Sequence, residues 1–111
     1  MTTTETFVGT FEASPNTTER VTVTERPEGE DFAIERVEIT IEVGAPDSVT
    51  VGTFIGEARL APADGPVASG GKVFRLPVDA TLSPTGSVTA RLSNPTSTAR
   101  EVQVLVLGRR L

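Results

Sequence analysis

The run Ser87 to Leu107 reads SVTARLS, then NPTSTAR, then EVQVLVL. Val88, Ala90 and Leu92 alternate with Ser87, Thr89, Arg91 and Ser93, the period of two of a strand with one wet face. Asn94-Pro95 interrupts the alternation, because Pro lacks the N–H that a ladder needs and biases its predecessor away from the helical region. The second run sets Val102 and Val104 against Glu101 and Gln103, then turns apolar on both faces at Val104, Leu105, Val106 and Leu107. A strand apolar on both sides is either central in a two-layer fold or covered by a partner. The unit reads as strand, turn, strand, hairpin-like, with Gly108 as its expected end.

Upstream, the clearest strand is Phe32 to Val43. Val37, Ile39, Ile41 and Val43 share one face and Arg36, Glu38, Thr40 and Glu42 the other, with β-branched residues filling the inner set. Ile34 is out of phase with Val37, which predicts a bulge near Glu35. Further strands are expected over Thr6–Glu12 (weakened by Gly9), Arg20–Glu25 with Val21 and Val23 inward, and Lys72–Val78 with Phe74, Leu76 and Val78 inward. Pro77 marks the last of these as an end or an edge. Val49–Leu60 is strand broken by Gly52 and Gly56, where the chain either changes sheets or makes a short helical turn over Glu57–Ala61. Turns are expected at Ala13–Thr18, Gly44–Ser48 and Asp79–Gly86, and loops at Arg26–Asp31 and Ala61–Gly71. About seven or eight short strands with turn signals at this spacing predict an all-β, single-domain antiparallel β-sandwich, either jelly-roll or Ig-like. The expected limits are a flexible N-terminal arm over 1–5, the sandwich over 6–108 and a basic C-terminal end over 109–111.

At 111 residues the chain has the size of one domain, large enough to bury roughly 65% of its unfolded surface without a staple. It has no cysteine and no histidine, so a disulfide, a thiolate, the usual general base and the commonest metal ligand are all missing. Its net charge of −5 argues against direct contact with nucleic acid. No N-terminal signal pattern and no apolar run of about 20 residues stand in it, so membrane insertion is not expected. Nine Arg against one Lys, Lys72, with fifteen acidic residues fits a GC-rich genome or, alternatively, a surface adapted to high salt.

Several chemistries can be weighed residue by residue. Glu38 and Glu42 on one face with Arg36 read as a solvated face rather than a catalytic carboxylate pair. Ser69-Gly70-Gly71-Lys72 fails the phosphate-loop pattern at Pro66 and Val73. Glu28, Glu30 and Asp31, with Asp47 or Asp64, could offer oxygen to Ca²⁺ but lack the regular spacing. Asn16-Thr17-Thr18 fits the glycosylation pattern yet reads as a plain turn. With no Trp or Tyr, a sugar-stacking platform is not expected. The chain is therefore read as no enzyme, without a cofactor. The candidate interface is the two-sided strand and the tail after it: Val104, Leu105, Val106, Leu107, Arg109 and Arg110.

The second half, with FRLPVDATLSPTGSVTARLSNPTSTAREVQVLVLG inside residues 73–108, resembles the final strands of small β-sandwich virion structural proteins of bacterial and archaeal viruses, of decoration, turret or minor capsid type. The likeness lies in the rhythm Gly-Ser-Val, then Leu-x-Asn-Pro, then a Val/Leu strand closed by Gly. It implies a virion component made in the host cytoplasm, which oligomerises with itself or docks on a major capsid protein through its sheet surfaces. It carries over no functional residue. The other reading is an Ig-like adhesion or ligand-binding module of a larger cellular assembly.

Overall fold

The computed structural model describes residues 4–25, 31–46, 48–61, 71, 73–82 and 86–110. Eight strands form: β1 Thr4–Ala13, β2 Thr17–Glu25, β3 Phe32–Ile41, β4 Thr50–Ile55, β5 Ala58–Ala61, β6 Val73–Leu82, β7 Ser87–Asn94 and β8 Arg100–Arg110. They make two four-stranded sheets, ordered β1-β8-β3-β6 and β2-β7-β4-β5, and every pairing is antiparallel.

The order has a simple origin. β1 pairs with β8, β2 with β7, β3 with β6 and β4 with β5, so the chain is one long antiparallel ribbon doubled back at its middle. Rolling the ribbon adds the pairings β3 with β8 and β4 with β7. The result is a jelly roll. An Ig sandwich would keep its first two strands side by side in one sheet, whereas β1 and β2 lie in different sheets. The ribbon doubles back at Gly56-Glu57, between the paired Ile55 and Ala58. Gly56 takes φ of +58°, as the first central position of a tight hairpin turn demands of a residue without Cβ. Neither the change of sheet nor the helical turn expected near here forms.

β7 and β8 are likewise not a hairpin. Each belongs to a different sheet, and the segment between them is an arch. It crosses beside the β1–β2 turn, so both halves of the ribbon change sheets together. Asn94 ties the corner. Its side chain is fully buried, and Nδ2 donates to the carbonyls of Ala13 and Thr98, each at 2.9 Å. Oδ1 accepts from Thr96 N at 3.0 Å and Thr96 Oγ1 at 2.6 Å. Asn16 N donates to Thr96 O at 3.0 Å. Asn16 holds φ of 56°, a left-handed conformation that Asn tolerates better than most residues.

The core lies between the sheets. Phe32, Ile34, Val37, Ile39 and Ile41 of β3 and Val102, Val104 and Val106 of β8 face Val51 of β4 and Val88, Ala90 and Leu92 of β7, all essentially without exposure. The phases expected for β3, β7 and β8 hold, and the register of β3 shifts between Ile34 and Arg36, at the predicted bulge. Pro77 stands in the edge strand β6, where its missing N–H costs no ladder bond. Gly9 does not break β1, because the Phe11 ring folds over it.

Other boundaries differ from expectation. Val43 is 83% exposed, because β3 stops at Ile41 and the chain turns away. β6 runs on to a fully buried Leu82 through half of the expected Asp79–Gly86 turn. β8 continues past Gly108 to Arg110. Thr4 and Glu5, expected in the arm, already pair with Arg109 and Gly108. The acidic stretch 26–30, the loop residues 62–70, Lys72, the Arg110 side chain and Leu111 lie outside what is described.

Candidate functional site

Alternation divides the candidate interface in two. Val104 and Val106 point into the core, fully buried, so in the folded chain they build the domain. Leu105 and Leu107 point outward and are half-buried. β8 is internal to its sheet, so its neighbours shape that outer face. Val8 of β1 stands opposite Leu105 and Thr6 opposite Leu107. On the other side Glu38 faces Leu105 and Arg36 faces Leu107. The outcome is an apolar spot of Val8, Leu105 and Leu107, with Val8 51% exposed.

A charged triad borders the spot. Arg36 Nε lies 2.9 Å from Glu38 Oε2, and Arg75 Nε 3.5 Å from Glu38 Oε1. A carboxylate held between two guanidiniums is a fixed group, so Glu38 and Arg36 form a rigid charged rim. Arg109 Nε lies 3.1 Å from Oε1 of Glu35, the bulge residue. Both side chains are about half exposed, so the pair is a weak surface contact. Glu42, expected on a solvated face, accepts the Glu101 N–H through Oε1 at 2.7 Å.

The other sheet presents a face of different chemistry, which local sequence reading did not assemble. Phe54 of β4 points outward, but the guanidinium carbons of Arg20 and Arg59 lie 4.6 and 5.0 Å from its ring centroid. Gly52, two residues earlier, leaves an open hollow of about 210 Å³ lined by Thr50, Gly52, Phe54, Arg59 and Arg91. Alternation places Arg20 and Arg91 outward, but only the pairing shows that they stand directly opposite each other. A larger hollow of about 380 Å³ opens near the arch, lined by residues that include Glu12, Glu42, Arg100 and Glu101.

Among the described residues no three acidic side chains are placed to hold a metal ion together, and no helix is long and apolar enough to cross a membrane. The chemistry on offer is that of surface: an apolar spot with a charged rim on one sheet, an arginine-walled hollow on the other.

No protein-family model matches the chain, and no curated protein matches it. Among solved structures, a chain of the cyanophage Pam1 capsid asymmetric unit matches with a TM-score of 0.69 and 19% sequence identity, over 99% of this chain and 86% of that one. The two share the fold over nearly their whole lengths.

Proposed function

We propose that this chain is a virion structural protein, a capsid-associated component of decoration, turret or minor capsid type. It acts by docking on a shell protein or on copies of itself, and its place is the virus particle. The observation that carries this reading is the whole-length match of its eight-stranded jelly roll to a chain of a phage capsid asymmetric unit. The outer face of β8 supports it, since Leu105, Leu107 and Val8 form an uncovered apolar centre inside a polar surround, the arrangement of an interface core with its rim. The Ig-like adhesion alternative loses its topological basis with the jelly-roll order.

The test is physical association with particles. In a density gradient of virus particles from cells carrying the gene, the chain should band with the capsids and be detected there by mass spectrometry. Recovery only in particle-free fractions would overturn the reading.

A further inference from the structure

Two cross-strand pairs of like charge stand on opposite faces of the sandwich. Arg20 of β2 faces Arg91 of β7, and Glu12 of β1 faces Glu101 of β8. Like charges directly opposite in a ladder repel and destabilise it. Among the described residues neither pair is fully neutralised. Among the described residues Arg91 makes no ion pair, and Arg20 has only the almost fully exposed Glu57, at 3.9 Å. Among the described residues Glu12 and Glu101 make no ion pair, and a cation beside them is Arg100, whose buried Nε has no hydrogen-bond partner.

The arginine side is also shaped. Gly52 stands directly opposite Arg91, and Arg59 directly opposite Phe54. The missing side chain at Gly52 therefore makes a recess with a guanidinium on either flank. Thr89, across from Phe54 on the same face, keeps a buried Oγ1 without a partner. Of the neighbouring outward side chains of β2 and β7, Thr22 carries a hydroxyl that can donate to an anion, while Thr18 and Ser93 hydrogen-bond to each other at 3.1 Å and leave one hydroxyl proton between them for it. The protein as a whole carries −5, which opposes approach of a polyanion such as nucleic acid. It does not oppose a short-range contact with one or two carboxylates, which arginine grips in bidentate fashion.

We propose that the Gly52 recess, with Arg91, Arg59 and Arg20, is a carboxylate-binding site for Glu12 and Glu101 of a second copy of this chain. The occupant follows from charge complementarity, because the same chain supplies on its other sheet a carboxylate couple without an ion pair among the described residues, to match a guanidinium couple whose one ion pair is the exposed contact of Arg20 with Glu57. Each repulsive pair is relieved by the other. The contact joins two different patches and so runs head to tail, generating a closed ring or an open chain of copies. This deepens the assembly reading and rests on it.

The test uses the full-length chain and two variants that keep a like-charge pair but invert its sign, Arg20→Glu/Arg91→Glu and Glu12→Arg/Glu101→Arg. Mass is read by light scattering, with circular dichroism to verify folding, at about 20 mM and about 500 mM KCl, where exposed pairs are weakly and strongly screened. The native chain should show a multiple of the 11.7 kDa monomer at low salt and fall toward the monomer at high salt. Each variant alone should be monomeric at low salt, and an equimolar mixture should regain the oligomer, because both contacts are then complementary. If a double variant misfolds, Arg91→Gln and Glu12→Gln should each weaken self-association at least tenfold. A native monomer at low salt, a folded variant with native mass, or a mixture that stays monomeric would each overturn the contact. A chain that bands with particles yet fails these tests sinks this contact alone and leaves the virion role standing.

Discussion

Replacing Asn94 by Ala removes the side chain that holds the two arches together, and its cost follows from its bonds. Asn94 makes four hydrogen bonds. Thr98 O can take up the Thr96 hydroxyl, 3.1 Å away and released from Asn94 Oδ1 by the substitution, so its loss is a modest one of about 0.5 kcal/mol. The bond to Thr96 Oγ1, whose hydroxyl is near solvent, counts about the same. The Ala13 carbonyl and the Thr96 N–H lose a buried partner, each at about 1 kcal/mol or more. The total is about 3 kcal/mol, which at roughly 4 °C per kcal/mol for a domain of this size lowers Tm by about 12 °C. Urea unfolding should show the same loss through its midpoint with an unchanged slope. Asn94→Asp keeps the acceptor but turns a carboxylate toward two carbonyls, and should cost at least as much as Ala. A loss under about 1 kcal/mol for Asn94→Ala, at unchanged slope, would refute the reasoning, since water would then be replacing the side chain at the corner.

The remaining predictions separate surface from core and test the charge balance. Leu105→Arg should fold with Tm within a few degrees of the native chain, because the new charge points outward beside Glu38, yet abolish banding with particles. Val104→Arg, one residue away and fully buried, should give an unfolded chain by circular dichroism. Gly108→Ala should cost several kcal/mol in urea titration, because a Cβ there would be driven into the Ala33 carbonyl and the Phe32 ring; Gly56→Ala meets open space and should lose only about 1 kcal/mol, the strain of a left-handed φ. If the acidic surface is adapted to high salt, Tm should rise by several degrees between low and about 1 M KCl, where the Debye length shrinks to about 3 Å; a flat Tm would reject that adaptation.

The predicted bulge near Glu35 shows how much of a strand is written locally. Ile34 falls out of phase with Val37 in the sequence, and the register shifts at that step against both neighbouring strands. The inward set of β7 and the edge position of Pro77 were legible for the same reason, since side-chain alternation and the missing N–H of proline act within a few residues. Val43 misled because the phase continues on paper after the strand has stopped. The Asp79–Thr81 polar stretch misled the other way, as an edge strand can carry exposed polar residues between partly buried ones.

The candidate site was only half visible. The two-sided apolar run marked Val104, Leu105, Val106 and Leu107 together, and only the structure buried Val104 and Val106 and left Leu105 and Leu107 outward beside Val8, Arg36 and Glu38. Arg20 and Arg91 each read as an outward charge on a separate strand, and their juxtaposition is a property of pairing. The same holds for the fold as a whole. The sequence by itself determined an all-β sandwich, which residues of its main strands face inward and where some strands bend. Only the tertiary structure decided that β7 and β8 arch between sheets, that the ribbon rolls into a jelly roll, and which charges meet. The physical reason is that strands pair through backbone groups that are nearly the same at every residue. The choice between partners is made by long-range contacts such as Asn94 with Ala13, 81 positions apart, which no local pattern encodes.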